Sequence, residues 1–306
     1  MTVTQGTMTI ERLCRLARVS RAGYYRFWRS SSPRQHDTRV RDAIQRIALA
    51  NGRHRGYRYI THQLRRDSMV VNHKRVLRLM RQDNLLCLRI RPFVPRTTDT
   101  QHDWQVVPNL ARGLQLTAPD QLWVADITYI RLHEEFAYLA IILDAFSRLV
   151  VGWAMDDHLR ASLAVAALIR AIETRRPAYG GLIHHSDRGV QYACSDYREL
   201  LAEHGIAASM SRVGNPYDNA KAESFIKTLK AEQVDGTLYR DRHEAARCIG
   251  TFIEEVYNKQ RLHSALGYRP PLEFEALHRQ GLLRPGAGDA ALDRKLRAAH
   301  AHPGIE

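Results

Sequence analysis

The chain has 306 residues, 44% of them apolar, and carries 46 Lys+Arg against 32 Asp+Glu, a formal net charge of +14. That length predicts two domains, or three small ones, with a substantial core, and the apolar content excludes wholesale disorder. The most apolar stretch (137–155) is interrupted by Asp144 and Arg148, which excludes a membrane span, and no secretory signal opens the chain.

Cys14, Cys87, Cys194 and Cys248 are far apart and form no CxxC pair. They read as reduced thiols of a cytoplasmic protein, neither a disulfide framework nor a zinc site. The charge is uneven. Residues 1–118 hold 23 Lys+Arg and 7 Asp+Glu, a net of +16, whereas residues 119–306 hold 23 and 25, a net of −2. A basic block of domain size implies a polyanionic partner, because each cation that neutralises a phosphate releases a condensed counterion. A solubility surface is the plainer alternative, but it favours acidic residues. An anionic membrane fits less well, since the cations fall on several short helices and form no single amphipathic stripe.

Residues 8–28 read as two short helices. Ile10, Leu13, Leu16 and Ala17 recur at helical spacing, Arg18-Val19 makes a turn, and Ser20 caps a second helix carrying Arg21 and Arg26. Helix, tight turn and helix is the outline of a helix-turn-helix (1–33), although two packed helices give the same pattern without touching DNA. SSSPRQ follows as a linker. Residues 34–92 then form a basic helical domain with helices over 37–50, about 57–67 and 73–82, the last capped by Asn72. Arg58, Lys74, Arg75 and Arg78 are its candidate DNA contacts, while Tyr57 and Tyr59 read as packing between helices. The prolines and polar residues of 93–118 make a second linker.

Beyond residue 118 the pattern changes to strands over 122–132, 136–143 and 148–155. Next come a helix over 159–175, a short strand over 182–185, a helix over 197–204 and a short strand over 206–210. The turn Gly214-Asn215-Pro216 leads to a helix from about 218 to 232, and another helix spans 241–257. This order describes a mixed sheet flanked by helices, an α/β domain over 119–280, with a loosely ordered tail over 281–306. Three acids stand out: Asp126 inside an apolar strand, Asp187 directly after a strand, and Glu223 on the helix after the Gly-Asn-Pro turn. A lone acid in a strand is usually an edge charge, so the case depends on convergence. Converging carboxylates would hold divalent cations for phosphoryl transfer, since Mg²⁺ takes oxygen ligands and paired ions serve both attacking and leaving oxygens.

WVADITYI, HHSDRGVQY and GNPYDNAKAESFIKTLK closely resemble the motifs of DDE transposases with a retroviral-integrase-type core. The resemblance is strongest to the second-frame (OrfB) product of two-frame bacterial insertion sequences. Thirty-five residues separate Asp187 from Glu223, the family spacing, and Lys230 matches the basic residue that follows the glutamate. YNKQRLHSALGYRPP (257–271) resembles the C-terminal core signature, and RHRGYRYI and RVSRAGYYRFW resemble the N-terminal DNA-binding region. The resemblance implies an RNase H-like core behind an all-α helix-turn-helix region. It also implies polynucleotidyl transfer with two Mg²⁺ ions, for which Mn²⁺ can substitute, and Asp126, Asp187 and Glu223 as metal ligands. Lys227 and Lys230 would share the Glu223 helix face and hold DNA phosphates. Asn219, one turn earlier, would orient Glu223 or a phosphate, unless it caps the helix. His184 and His185 would shape the strand end.

The implied partners are the element's terminal inverted repeats, target DNA, further copies of the chain, and a first-frame (OrfA-like) protein or fusion. The retroviral zinc module has no counterpart in the cysteine pattern, and no long leucine heptad array is present. Two other readings remain open: a non-catalytic DNA-binding regulator, and a nuclease using the same metals without strand transfer.

Overall fold

Residues 9–28, 35–87, 107–212 and 219–283 are described by the computed structural model, and the chain divides into two compact units between Leu86 and Cys87. In the first unit, α1 (Ile10–Leu16) starts at Thr9 and α2 (Arg21–Trp28) at Ser20, whose hydroxyl accepts the Gly23 N–H at 3.0 Å. Three longer helices follow: α3 (Gln35–Ala50), α4 (Tyr57–Arg66) and α5 (His73–Gln82). Each turns an apolar stripe inward: Val40, Ile44 and Ile47 from α3, Ile60 and Leu64 from α4, Val76 and Leu79 from α5. The Asn72 side chain accepts the Lys74 N–H at 2.8 Å and so sets the start of α5. Tyr57 and Tyr59 pack against this core, each under an arginine, Arg58 over Tyr57 and Arg55 over Tyr59.

The second unit is built on a five-stranded sheet in the order β3-β2-β1-β4-β5. Its strands are β1 (Leu122–Arg131), β2 (Phe136–Asp144), β3 (Val150–Asp156), β4 (Ile183–Ser186) and β5 (Ala207–Met210). The first three form an antiparallel meander, and β4 and β5 add in parallel on the other side of β1. That is the RNase H-like arrangement. β1 is central and covered on both faces, so Leu122 to Ala125 are all buried. Its two-residue period still sorts them. Leu122 and Val124 pack with α9 (Ala220–Leu229) and α10 (Arg242–Thr251), and Trp123 and Ala125 with α6 (Ala161–Arg175) and α8 (Ser195–Glu203). A four-residue helix, α7 (Val190–Ala193), leads into α8.

Two helices expected to run on as regular α-helix instead widen at their ends. α9 passes into a π-helical turn over Lys230–Val234, and α10 into one over Phe252–Tyr257. The Asp235 N–H reaches back five residues to the Lys230 carbonyl, and the Asn258 N–H does the same to Ile253. The second widening delivers the C-terminal signature into the core. Tyr257 packs edge-on against Phe225 at 4.7 Å, and the Asn258 amide exchanges two 3.0 Å hydrogen bonds with the Val150 backbone. A final helix, α11 (Pro271–Arg279), is tied down by Arg175, which bridges Glu275 at 2.8 Å and Asp120 at 2.6 Å. No helix among the described residues is long and apolar enough to cross a membrane.

Candidate active site of the core unit

The sheet register sets the level of the first two acids. Val124 on β1 pairs with His185 on β4, so Asp126 on β1 and Asp187 just past the end of β4 each stand two residues beyond a paired position. Strand neighbours lie about 4.8 Å apart. By parity Asp126 faces the side covered by α9, where Ala222, Phe225 and Leu229 bury themselves and leave Glu223 at the margin. The Asn219 side chain fastens the start of α9 to β1 by donating its Nδ2 to the Ala125 carbonyl at 3.0 Å. It makes no capping bond, so the capping alternative fails and Asn219 acts as a staple beside Asp126.

Asp187 and Glu223 both act electrostatically on Asp126. Asp126 is pushed up to about 8, first by burial and next by the charge of Asp187, with a smaller push from Glu223. The Ile127 N–H, 2.9 Å from its Oδ1, and the Lys230 ammonium offset only part of this. Burial also raises Glu223. Asp187 accepts the Gly189 N–H at 2.9 Å, which bends the loop away from β4. At neutral pH this cluster must hold a proton or a cation. The three carboxylates do not close to within 4.8 Å of one another. Among the described residues only Asp156, Asp157 and His158 do so, and there Arg242 already neutralises Asp156 at 2.8 Å.

Residues 117–216 and 204–271 each match an integrase core domain family, and residues 35–93 match an HTH-like domain. The chain is 39% identical over 272 residues to the insertion element IS600 uncharacterized 31 kDa protein of Shigella sonnei, covering 88% of this chain and 99% of that protein. It is 35% identical over 276 residues to the transposase InsF for insertion sequence IS3A of Escherichia coli K12, covering 89% of this chain and 95% of the relative. The chain belongs to the IS3-type insertion-sequence transposases. Among solved structures, the magnesium complex of the HTLV-2 integrase catalytic core domain is 16% identical, covers 52% of this chain and 97% of its own, and gives a TM-score of 0.41.

In this transposase the two lysines after Glu223 take different places. Lys227 is exposed. Lys230, at the start of the π turn, lays its ammonium over the Tyr129 ring, 3.9 Å from the centroid, and still acts on Asp126. His184 and His185 point to opposite sides of β4. His184 bonds the Tyr197 hydroxyl at 2.9 Å, and burial drops it to about 3, so it stays neutral. His185 bridges the hydroxyls of Ser209 at 2.8 Å and Ser211 at 3.0 Å, pinning β5 to β4.

In the first unit, Arg75 turns inward to a nearly buried Asp37, with Arg78 3.8 Å from the same carboxylate. Arg58, Lys74 and Arg78 keep exposed positions, as does Arg21 on α2; Arg26 lies on α2, its side chain outside the described residues.

One group, Tyr192, escaped the sequence reading. Tyr192 lines a cleft with Asp187, Gly189, Tyr129 and Tyr138, its hydroxyl buried with no hydrogen-bond partner among the described residues. The Asn219 Oδ1 is orphaned in the same way. The alternation in VQYA offered no signal for Tyr192, because a four-residue helix is too short to show a period.

Proposed function

We propose that this transposase cleaves DNA at the ends of its element and joins the freed 3′-hydroxyl to target DNA. Asp126, Asp187 and Glu223 would hold two Mg²⁺ ions for this, with Mn²⁺ able to replace them. The observation that carries the reading is that Asp126 is pushed strongly up, first by burial and then by the charges of Asp187 and Glu223 delivered from different elements, a state that a divalent cation would relieve. The donor set fits the ion: hard oxygen ligands, with the orphaned Tyr192 hydroxyl and Asn219 Oδ1 beside them for bound water. When bound, the metals supply activation of the attacking oxygen and charge stabilisation of the leaving one. The residues do the rest. Asp126 gives up its proton as the cations arrive, Asn219 keeps Glu223 in register with β1, and Lys227 and Lys230 hold DNA phosphates. Tyr129 limits where the Lys230 ammonium can go.

The exposed cations Arg58, Lys74 and Arg78, with Arg21 and Arg26, would grip the terminal repeats through the basic region 1–92, and the core 119–280 would do the chemistry. Synapsis of two ends calls for several copies of the chain, with a first-frame partner or fusion as a further component, in the bacterial cytoplasm. Purified protein, a labelled element-end duplex and Mg²⁺ test the reading, with Asp187→Asn as control. Joined products lost in the variant are expected. Cleavage without joining would leave a nuclease, and binding with neither would leave a regulator.

A further inference from the structure

The turn between β2 and β3 gathers two cations that the chemistry at Asp126 does not use. Arg148 sits in that turn at φ +63°, a left-handed conformation that is unfavourable for a non-glycine residue. Asp144 fixes the turn. Its backbone carbonyl accepts the Arg148 N–H at 2.9 Å, and its carboxylate takes the N–H groups of Asp120, Phe146 and Ser147 and the Ser147 hydroxyl, all within 3.0 Å. Lys221, in the first turn of α9, reaches the same place and donates its Nζ to the Ala145 carbonyl at 2.9 Å.

Both cations are half-buried. Among the described residues the Arg148 guanidinium makes no hydrogen bond or ion pair, and Lys221 makes only its bond to a neutral carbonyl. The Asp144 carboxylate, which holds the same turn, already serves four donors with its two oxygens. Two like charges half-withdrawn from water without an ion pair among the described residues cost stability, so packing alone does not account for their placement.

We propose that Arg148 and Lys221 form a subsite for a DNA backbone phosphodiester, separate from the three-acid site. The guanidinium offers a planar fork of N–H donors that matches two phosphate oxygens, and the ammonium has two protons left after bonding Ala145. Asp144 pairs with Trp123 on β1, three residues before Asp126, which places the turn about 10 Å along the strand from the acids. At 3.4 Å per nucleotide this is about three nucleotides from the reacting phosphate. A phosphate held there would set which phosphodiester of the strand reaches Asp126. The proposal rests on the reading that this core acts on DNA.

The test is binding of a labelled element-end duplex by the full chain in EDTA, titrated with salt, for wild type and Arg148→Gln/Lys221→Gln. Loss of one phosphate contact lowers the slope of log K against log[salt] by about 0.9 and the affinity at 0.1 M salt by about eightfold. Arg148→Lys should restore most of the slope. If the double variant melts early, Arg148→Gln alone carries the test, since it keeps the Lys221 bond to Ala145 and the Arg148 backbone bond to Asp144. A folded double variant with an unchanged slope overturns the proposal. So does wild-type stabilisation by inorganic phosphate, lost in the double variant, without any change in DNA affinity; the pair would then hold free phosphate. Failure of the wild type to bind the duplex at all overturns the transposase reading beneath it.

Discussion

Asp126→Asn is expected to stabilise the metal-free transposase at neutral pH while abolishing its chemistry. In the folded chain the Asp126 carboxyl is pushed up to about 8, with burial the larger cause and the Asp187 and Glu223 charges the next. In the unfolded chain it ionises near the ordinary value of about 3.9. Between those two values the native state keeps a proton that the unfolded state has released. Stability therefore falls as pH rises, by about 1.4 kcal/mol per pH unit. The loss is absent below about pH 4, reaches about 4 kcal/mol by pH 7, and levels off once the folded group ionises. Asparagine keeps the neutral shape at every pH and can still accept the Ile127 N–H. Urea denaturation of EDTA-treated protein from about pH 5 to about pH 8 checks this. The advantage of the variant should grow steadily across that range. Excess Mg²⁺ should stabilise the wild type and leave the variant unmoved. A variant less stable than wild type at the alkaline end, or a difference that ignores pH, would refute the reasoning.

Three more outcomes are expected. Gly152→Ala puts a Cβ within 2.7 Å of the Ala171 Cβ and 2.8 Å of its backbone nitrogen, forcing α6 off β3; urea denaturation should read a loss of about 1–3 kcal/mol. Arg75→Ala removes the main partner of Asp37 and should lower the urea midpoint of the first unit. Lys74→Ala should leave stability within about 0.5 kcal/mol and instead reduce the salt slope of DNA binding by about one contact; thermal melts and filter binding separate the two.

Much of this was legible because local and tertiary preferences agree. Asn72 before an apolar-periodic run marks α5, and the Leu122–Ile127 pattern marks β1. Three acids at strand, strand end and helix pointed to a shared site before any geometry was known. What was hidden depends on partners distant in sequence. Arg75 reads like its basic neighbours Lys74 and Arg78, yet Asp37, on α3, draws it inward. Lys230 and Glu223 are seven residues apart on an apparently continuous helix, but the bond from Asp235 opens a π turn there, and Tyr129 receives the ammonium. Asn219 looked equally suited to cap α9 or to orient it, and only the Ala125 carbonyl decided between them. Tyr257 and Asn258, conspicuous in the C-terminal signature, clamp the π turn of α10 to α9 and β3 rather than carrying chemistry.

The central claim is that Asp126, Asp187 and Glu223 bind the metals that drive strand transfer. It is tested most directly by Asp187→Cys assayed for strand joining in Mg²⁺ and in Mn²⁺, beside Asp156→Cys from the other acidic cluster. A thiolate is a poor ligand for Mg²⁺ and a better one for the softer Mn²⁺. Asp187→Cys should be inactive in Mg²⁺ and regain joining in Mn²⁺, while Asp156→Cys should behave like wild type in both. Full joining by Asp187→Cys in Mg²⁺, or a metal switch appearing at Asp156 instead, would contradict it.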